Sequence, residues 1–227
     1  AIDRAGQVGT DGPTHAGSYD ITYLSTLPNF IIMAPSNQNE LVRMINTSLL
    51  IDDRPSAFRY PRGTGIFNEN DLDSRVLEIG KGYIVTQGND IAILNLGTRM
   101  ESCEEAIKLL KDHNIFPTLA DARFAKPIDK DLINQLLDNH KYVITIEEGS
   151  SGGFGATVLN YIHNERVKPT SAKISNIFFP DRFIDHQSPE DQYLEMGMDA
   201  GSIAQKILKF YKTNVLDFQL FNKTKKN

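Results

Sequence analysis

Cysteine, net positive charge and long apolar runs are all scarce in this sequence. Its one cysteine, Cys103, excludes an internal disulfide framework and any metal site built from several cysteines. Because 24 Lys and Arg are outnumbered by 29 Asp and Glu, the formal charge is -5 and no overall basic field attracts nucleic acid or anionic membranes. No apolar run approaches the length of a membrane span, and no signal-peptide pattern opens the chain. These absences predict a protein of a reducing compartment, by default the cytoplasm, that binds neither nucleic acid nor membrane.

What the sequence does contain is typical of a soluble globular protein. Its 227 residues are 40% hydrophobic and 23% charged, which is enough apolar content for a packed core. The chain begins Ala1-Ile2-Asp3, without an initiator methionine, and these residues resemble the end of a strand that runs into a loop. We therefore expect that further sequence precedes them in the natural protein.

The first third of the chain combines one long loop with short regular elements. Residues 3–20 are dense in Gly, Asp, Thr and His and predict a long ordered loop. A strand is predicted over 30–33, followed by a helix with Ser36 as its N-cap that stops near 52–55, and a second strand over 57–60.

A polar, aperiodic stretch over residues 64–79 predicts a linker between two units. Beyond it, strands and helices alternate, which predicts a mainly parallel sheet covered by helices. The predicted elements are strands over 91–96, 118–120, 142–146 and 173–179, and helices around 103–110, 132–137, 158–162 and 203–211. The predicted division is a first unit over 1–66, a linker over 67–80, an α/β domain with its own core over 81–212, and a tail over 213–227 that is frayed at residues 222–227.

The segment most informative about function is the loop from Asp3 to Gly17. Its four glycines allow positive φ and close approach of the backbone to a ligand. Arg4, Asp11 and His15 add a cation, a carboxylate and a group that titrates near neutral pH. The alternative, left open at this point, is a turn-rich loop in which Asp11 caps a turn and His15 bonds to the backbone.

A second cluster, Arg59-Tyr60-Pro61-Arg62-Gly63, lies where a predicted strand ends. Ligands gather at the carboxyl ends of parallel strands, and a guanidinium fork there suits a phosphate, so Arg62 is the candidate. Whether Arg59 faces the same site depends on the turn at Pro61. In the competing interpretation, either arginine pairs with a surface carboxylate.

Three other features carry weaker functional hypotheses. The glycine-rich run over 149–155 matches neither the dinucleotide fingerprint nor a P-loop and is predicted to serve helix-on-sheet packing. Cys103 belongs to an apolar helix stripe and is predicted to be a core residue. Asp185-His186 lacks a nucleophile at a recognisable spacing and is interpreted as a surface or interface pair.

Several motifs, taken in their order and spacing along residues 1 to 212, resemble one enzyme family. They are Asp3-Arg4-Ala5-Gly6, Gly9-Thr10-Asp11-Gly12, Thr14-His15-Ala16-Gly17, Leu27-Pro28-Asn29, Met33-Ala34-Pro35-Ser36, Arg59-Tyr60-Pro61-Arg62-Gly63, Gly80-Lys81-Gly82, Asn95-Leu96-Gly97-Thr98, Ala122-Arg123-Phe124-Ala125-Lys126-Pro127-Ile128-Asp129, Glu147-Glu148-Gly149 and Phe183-Ile184-Asp185-His186. The family is that of the 1-deoxy-D-xylulose-5-phosphate synthases, in the transketolase superfamily. The resemblance implies an α/β fold: part of a thiamine-diphosphate pyrimidine-binding domain followed by a transketolase C-terminal-type domain with a mainly parallel sheet.

The resemblance also implies a reaction and roles for site residues. The family condenses pyruvate with D-glyceraldehyde 3-phosphate, using thiamine diphosphate and Mg2+, and feeds isoprenoid, thiamine and pyridoxal synthesis. By position, Arg4 and Arg62 resemble the arginines that hold the glyceraldehyde phosphate, and doubly charged anions favour guanidinium forks. Asp11 and His15 resemble the acid and imidazole that contact the thiamine-bound substrate and help proton movement. The chain departs from many relatives at Ser25, where arginine is usual, and at Ala16, where glutamine is frequent.

The family's diphosphate-and-magnesium motif, its activating glutamate and its ring-stacking aromatic residue all belong before Ala1. We therefore expect this chain alone to bind no cofactor or metal and to be inactive, and the parent enzyme to be a homodimer of the bacterial cytoplasm or a plastid-type compartment. Three alternatives remain: a transketolase, whose motif also resembles residues 11–15; a β subunit of a 2-oxo-acid dehydrogenase, whose usual motifs are missing; and a non-catalytic dimerisation or interaction module.

Overall fold

The structure, a computed structural model, describes residues 1–64 and 73–224. The elements of the first part are α1 (Asp20–Ser25), β1 (Ile31–Met33), α2 (Gln38–Ser48) and β2 (Ser56–Phe58). Those of the second part are β3 (Tyr83–Thr86), β4 (Ile91–Leu96), α3 (Met100–Lys111), β5 (Thr118–Asp121), β6 (Phe124–Lys126), α4 (Lys130–Asn139), β7 (Tyr142–Glu147), α5 (Phe154–Asn160) with a π-helical turn after it (Tyr161–Glu165), β8 (Lys173–Ile177), α6 (Pro189–Met196) and α7 (Ala200–Thr224).

The described strands form two sheets. The larger has the order β3-β5-β4-β7-β8, in which β5, β4, β7 and β8 run parallel and β3 is an antiparallel edge strand. Strands β4 and β7 are buried along their whole length, as expected when helices cover both faces of a parallel sheet. The predicted α/β fold with a mainly parallel sheet is therefore confirmed.

The smaller sheet joins the two parts of the chain. Its order is β2-β1-β6, with β2 parallel to β1 and β6 antiparallel to it. Strand β6 comes from the second part of the chain, so the sheet of the first part is completed by a strand from beyond the linker. The backbone enters β6 from Arg123, which has a positive φ of 57° and whose carbonyl accepts a hydrogen bond from Ala34 N.

Residues 81–212, for which a core of their own was predicted, contribute to two buried clusters. One buried cluster does lie wholly within residues 91–207. A second cluster mixes Ile21, Ile32 and Ala34 with residues such as Leu94 and Leu136. Strand β6 and helix α1 pack between the first part of the chain and the large sheet. The two parts therefore bury apolar surface against each other.

Helix α2 begins and ends at different residues from those predicted. Its N-cap is Asn37 instead of Ser36, because Asn37 is extended and its Oδ1 accepts a hydrogen bond from Glu40 N at 3.0 Å. The helix ends at Ser48, ahead of the predicted stop, with Leu49 as its C-cap, and the hydroxyls of Thr47 and Ser48 bond to helix carbonyls at 2.7 Å.

Elements that the sequence pattern did not predict are short: α1, β3, β6 and α6. Helix α6 did have a start signal, because Ser188 caps it and Pro189 occupies its first turn. Helix α7 is longer than expected and runs through Thr224, so residues 222–224 are helical instead of frayed. Residues 225–227, like positions 65–72 of the predicted linker, lie outside the described residues.

The described helices were also searched for membrane spans. In residues 1–64 and 73–224, no helix combines the length and apolar character needed to cross a bilayer.

Candidate functional site

The loop that carries the predicted site residues is closed at its base by backbone pairing. Gly6 and Gly17 exchange hydrogen bonds, N to O, at 2.9 Å in both directions. A Cβ at residue 17 would overlap the carbonyl oxygen of Arg4, so this close approach requires glycine. Within the loop, all of which is described, Gly9–Asp11 forms a single 3-10 turn, which agrees with the predicted ordered loop.

The chain enters the loop from an extended segment that pairs with the end of β2. Ile2 forms a parallel bridge with Arg59, and Ala5 N donates to Tyr60 O at 3.0 Å. Arg4 lies between the paired residues Ile2 and Ala5, and Arg62 follows the paired Tyr60, so both lie at this end of adjacent parallel segments. This is the edge at which ligands gather in parallel α/β sheets.

Arg4 and Arg62 converge on the same carboxylate. Arg4 Nη1 pairs with Asp11 Oδ2, and Arg62 Nη1 lies 3.1 Å from Asp11 Oδ1. Arg62 Nη1 also donates to the Val8 carbonyl at 3.1 Å. The two arginine side chains are 41% and 48% exposed, so both guanidinium groups remain open to a ligand from solvent.

His15 lies in the same loop, four residues after Asp11, and is exposed. Its Nδ1 is 2.9 Å from the hydroxyl of Thr14, and its backbone N donates to Gly12 O at 3.2 Å. The structure thus brings Arg4, Asp11 and Arg62 into contact, while the His15 imidazole bonds to the hydroxyl of its neighbour Thr14.

Arg59, whose orientation the sequence left open, points into the interior. It is 3% exposed and forms a two-pronged ion pair with Asp20, with Nε–Oδ2 2.6 Å and Nη2–Oδ1 3.1 Å. Its Nη2 also donates to the carbonyls of Gly17, at 2.8 Å, and Glu148, at 2.9 Å. Burial alone would lower the pKa of Arg59, but Asp20 and Glu148 outweigh it and the pKa is raised. Arg59 therefore fixes the base of the loop and is not part of the exposed site.

Residues from the second part of the chain contact the loop, and sequence reasoning missed most of them. Tyr193 OH accepts a hydrogen bond from Gln7 N at 3.4 Å, and Gln192 bonds to the backbone of Gly9. The guanidinium of Arg99 lies 3.6 Å from the centroid of the Tyr193 ring and pairs with Glu148, Nε–Oε1 2.7 Å. Burial, followed by the charge of Glu148, raises the pKa of Tyr193, so this hydroxyl stays neutral. For Gln192 and Tyr193, the one signal in the sequence was the Ser-Pro pattern that predicts the start of α6.

The structure also places the three features with weaker functional hypotheses: the glycine-rich run, Cys103 and Asp185-His186. Glu147 Oε2 and Oε1 accept hydrogen bonds from the backbone N of Phe154 and Gly155, both at 2.8 Å, so the glycine-rich helix start is filled by the protein's own carboxylate. Burial raises the pKa of the Cys103 thiol to about 12, which agrees with a core residue. His186 is exposed, as a surface pair requires, but its imidazole occupies the space where a side chain on Gly12 would stand.

The donor set at this site fits an anion more readily than a metal ion. Two guanidinium groups supply paired N–H donors on either side of the Asp11 carboxylate. Across the part of the chain that the structure describes, no group of three or more His, Cys, Asp or Glu side chains is placed to hold a metal. The arrangement of these residues therefore suits an anionic ligand.

Two family models cover nearly the whole chain. The transketolase pyrimidine-binding domain matches residues 1–65, and the transketolase C-terminal domain matches residues 80–203. The chain belongs to the transketolase family.

Within that family, the predicted resemblance to 1-deoxy-D-xylulose-5-phosphate synthases is confirmed. The chain is 45% identical over 210 residues to a probable 1-deoxy-D-xylulose-5-phosphate synthase 2, chloroplastic, of Oryza sativa subsp. japonica, covering 92% of this chain and 30% of the relative. It is 46% identical over 209 residues to 1-deoxy-D-xylulose-5-phosphate synthase 1, chloroplastic, of Cannabis sativa, covering 91% and 29%. The chain thus spans less than a third of these relatives.

Solved structures agree on the fold. A split gene transketolase described as an inactive beta4 tetramer superposes with a TM-score of 0.77 at 24% identity, covering 91% of this chain and 64% of that one. Transketolase from Campylobacter jejuni subsp. jejuni superposes with a TM-score of 0.65 at 18% identity, covering 90% and 30%.

Proposed function

We propose that this chain is the carboxyl-terminal portion of a 1-deoxy-D-xylulose-5-phosphate synthase, which joins pyruvate to D-glyceraldehyde 3-phosphate with loss of CO2. The product feeds isoprenoid, thiamine and pyridoxal synthesis. The observation that carries the proposal is the convergence of Arg4 and Arg62 on Asp11 at the edge of a parallel pair. The similarity to the rice and Cannabis synthases supports the choice of reaction.

The shared carboxylate explains how one phosphate group would be held. Since both guanidinium groups reach oxygens of the single Asp11 carboxylate, they are close enough to donate to a single phosphate as well. A phosphate dianion offers more acceptor oxygens and more charge than a carboxylate, so it competes for the same N–H groups. We propose that substrate binding shifts Arg4 and Arg62 from Asp11 towards the phosphate.

The shift of the arginines frees Asp11 to contact the reacting part of the substrate, where we propose that His15 also acts. Thiamine diphosphate, when bound in the parent enzyme, supplies the electron sink for loss of CO2. Asp11, released from the arginines, can accept a hydrogen bond from the substrate. His15 is exposed, and its imidazole can give a proton to a substrate oxygen or take one from it.

We propose that thiamine diphosphate and Mg2+ are anchored by residues outside these 227, and that the chain alone is inactive. The described site residues supply groups that can bind an anion and transfer a proton. The family's motifs that anchor the diphosphate and Mg2+ are not found in these 227 residues. The parent is proposed to be a homodimer in a plastid-type compartment or the bacterial cytoplasm. The chloroplastic names of the two plant relatives support the former compartment.

A second candidate is a separately encoded subunit that becomes active with a cofactor-binding partner. It is favoured by the structural similarity to the split gene transketolase, whose solved form is an inactive tetramer of one chain type. Both candidates assign the same roles to the site residues. They differ in whether the anchoring segment belongs to the same polypeptide.

Arg62→Met in the longer parent enzyme tests the proposed phosphate site. We expect the KM for D-glyceraldehyde 3-phosphate to rise at least about tenfold while the KM for pyruvate changes little, because a charge-assisted bond to phosphate is lost. The matched control is Arg54→Met, since Arg54 is also exposed and paired but contacts the neighbouring Asp53. An equal rise in both KM values, or no rise in either, would contradict the assignment.

A further inference from the structure

The side chain of Gln192, on helix α6, is bonded to the backbone of the loop that carries the predicted site residues. Gln192 is 0% exposed, and its Oε1 accepts a hydrogen bond from Gly9 N at 2.8 Å. Its Nε2 donates to Gly9 O at 3.2 Å and to Asp185 O at 2.9 Å. The partners fix the orientation of the amide, because an N–H needs the oxygen end and the two carbonyls need the nitrogen end.

Gly9 is the residue at which the loop turns. It begins the 3-10 turn, its φ is 65°, and its carbonyl also accepts the hydrogen bond from Gly12 N at 3.1 Å that closes the turn. Pro189, from the same helix as Gln192, packs against Gly9 so closely that an added Cβ would lie 3.1 Å from its ring. Gln192 and Pro189 together define where residue 9 sits.

Asp11 follows Gly9 by two residues within that turn. Its carboxylate is the group on which Arg4 and Arg62 converge, so its position sets the spacing of both guanidinium groups. A glutamine amide that satisfies both backbone groups of Gly9 therefore acts on the site through the turn, without touching the substrate itself.

We propose that Gln192 is a positioning residue for the substrate-phosphate site, so that the second part of the chain takes part in building a site whose predicted residues all lie in the first. The inference rests on the proposed function for its catalytic consequence. Its structural consequence, order in the loop at Gly9, can be measured independently.

Two substitutions of Gln192 distinguish the effect of its side-chain volume from the effect of its hydrogen bonds to Gly9. Gln192→Met keeps the length and volume of the side chain but offers no strong donor or acceptor, so Gly9 N and O lose a buried partner. Gln192→Glu can mimic the amide only when protonated: its carbonyl oxygen then accepts from Gly9 N, and its hydroxyl donates to the carbonyl of Gly9 or Asp185. Once ionised, the carboxylate can still accept from Gly9 N, but it has no proton to donate and repels the carbonyl oxygens of Gly9 and Asp185.

The first readout is amide hydrogen exchange at Gly9 in the 227-residue chain. We expect Gln192→Met to speed exchange of the Gly9 amide by at least about tenfold, because an unbonded amide loses its local protection. The control is Thr145→Val, which removes a partly buried hydrogen bond of 2.9 Å between Thr145 on β7 and Asn176 on β8. Unchanged exchange at Gly9 in Gln192→Met would overturn the inference, whatever the enzyme assay shows.

The second readout is the kinetics of the parent enzyme. We expect Gln192→Met to lower kcat/KM for D-glyceraldehyde 3-phosphate on the order of ten- to a hundredfold, because misplacement of a positioned group by a fraction of an ångström has an effect of that size. The control variant, Thr145→Val, should stay near the wild-type value. For Gln192→Glu, the ratio to wild type should rise as the pH falls from 8 to 6, since burial raises the pKa of the introduced carboxyl. Asp185, His186 and Asp191, which lie close to residue 192 in the sequence, are present in both proteins, so the ratio reports mainly the introduced carboxyl.

The outcomes distinguish the two proposals. Faster exchange at Gly9 together with an inactive wild-type parent would refute the proposed function and leave the positioning role standing. Normal exchange with an active parent would do the reverse. A kcat/KM loss in Gln192→Glu that stays the same at every pH would also contradict the inference, because a purely steric effect does not follow protonation.

Discussion

The buried ion pair between Arg59 and Asp20 gives the sharpest stability prediction. Both side chains are almost wholly buried, at 2% and 4% exposure, and Arg59 also donates to two carbonyls that close the base of the loop. Arg59→Met would leave the carboxylate of Asp20 buried without its cation, while Glu147 and Glu148 add negative charge nearby. Removal of one partner of a buried pair costs about 3–5 kcal/mol, so we expect a loss of that size in the free energy of unfolding.

Urea unfolding of the 227-residue chain, followed by circular dichroism, measures this loss. A double variant, Arg59→Met with Asp20→Leu, should recover most of it, because replacing both partners of a buried pair with apolar residues is often close to neutral. Arg54→Met serves as the control, since its pair with Asp53 is solvent-exposed and should leave the unfolding midpoint essentially unchanged.

Two results would refute the reasoning. If Arg59→Met lowered the free energy of unfolding by less than about 1 kcal/mol, Asp20 would not depend on its cation as the geometry indicates. If the double variant were less stable than the single variant, the loss would come from packing of the arginine stem instead of from the unpaired charge.

Two further predictions concern buried titratable groups. Cys103, with a pKa raised to about 12 by burial, should resist a thiol reagent at pH 8 in the folded chain and react at once in 8 M urea; reaction at equal rates in both would show that the thiol is accessible. Burial raises the pKa of Asp121 from 3.8 to about 6, so between these values the folded state keeps a proton that the unfolded state has lost, and the free energy of unfolding should fall as pH rises through this window. Asp121→Asn should remove a pH-dependent contribution of up to about 3 kcal/mol, measured as the difference between the two urea stability profiles from pH 4 to pH 7, and identical profiles would contradict the assignment.

The strongly patterned elements were predictable from the sequence. Strand β4 was predicted with the bounds that the structure has, Ile91–Leu96, and β7 to within one residue, because a fully buried strand is a continuous apolar run between turn residues. The candidate loop was also found, since glycines beside Arg4, Asp11 and His15 are a compositional signal that needs no knowledge of tertiary contacts.

The features that could not be predicted from the sequence depend on contacts between distant segments. Strand β6 is three residues long and exists because it pairs with β1 from the first part of the chain. Arg62 was chosen as the exposed candidate, but the inward orientation of Arg59 could not be predicted, since it depends on the turn at Pro61 and on its pairing with Asp20. Gln192 lies more than 180 positions from Gly9, and nothing in its local pattern marks it as a partner of the loop.

The most direct test of the central claim is the intact mass of the polypeptide in its source cells, with an assay of pyruvate and D-glyceraldehyde 3-phosphate turnover on that polypeptide and on the 25.4 kDa chain. We predict a longer polypeptide that is active with thiamine diphosphate and Mg2+, and a 25.4 kDa chain that is inactive under the same conditions. Turnover by the 25.4 kDa chain alone would contradict the claim that this chain is one portion of the enzyme.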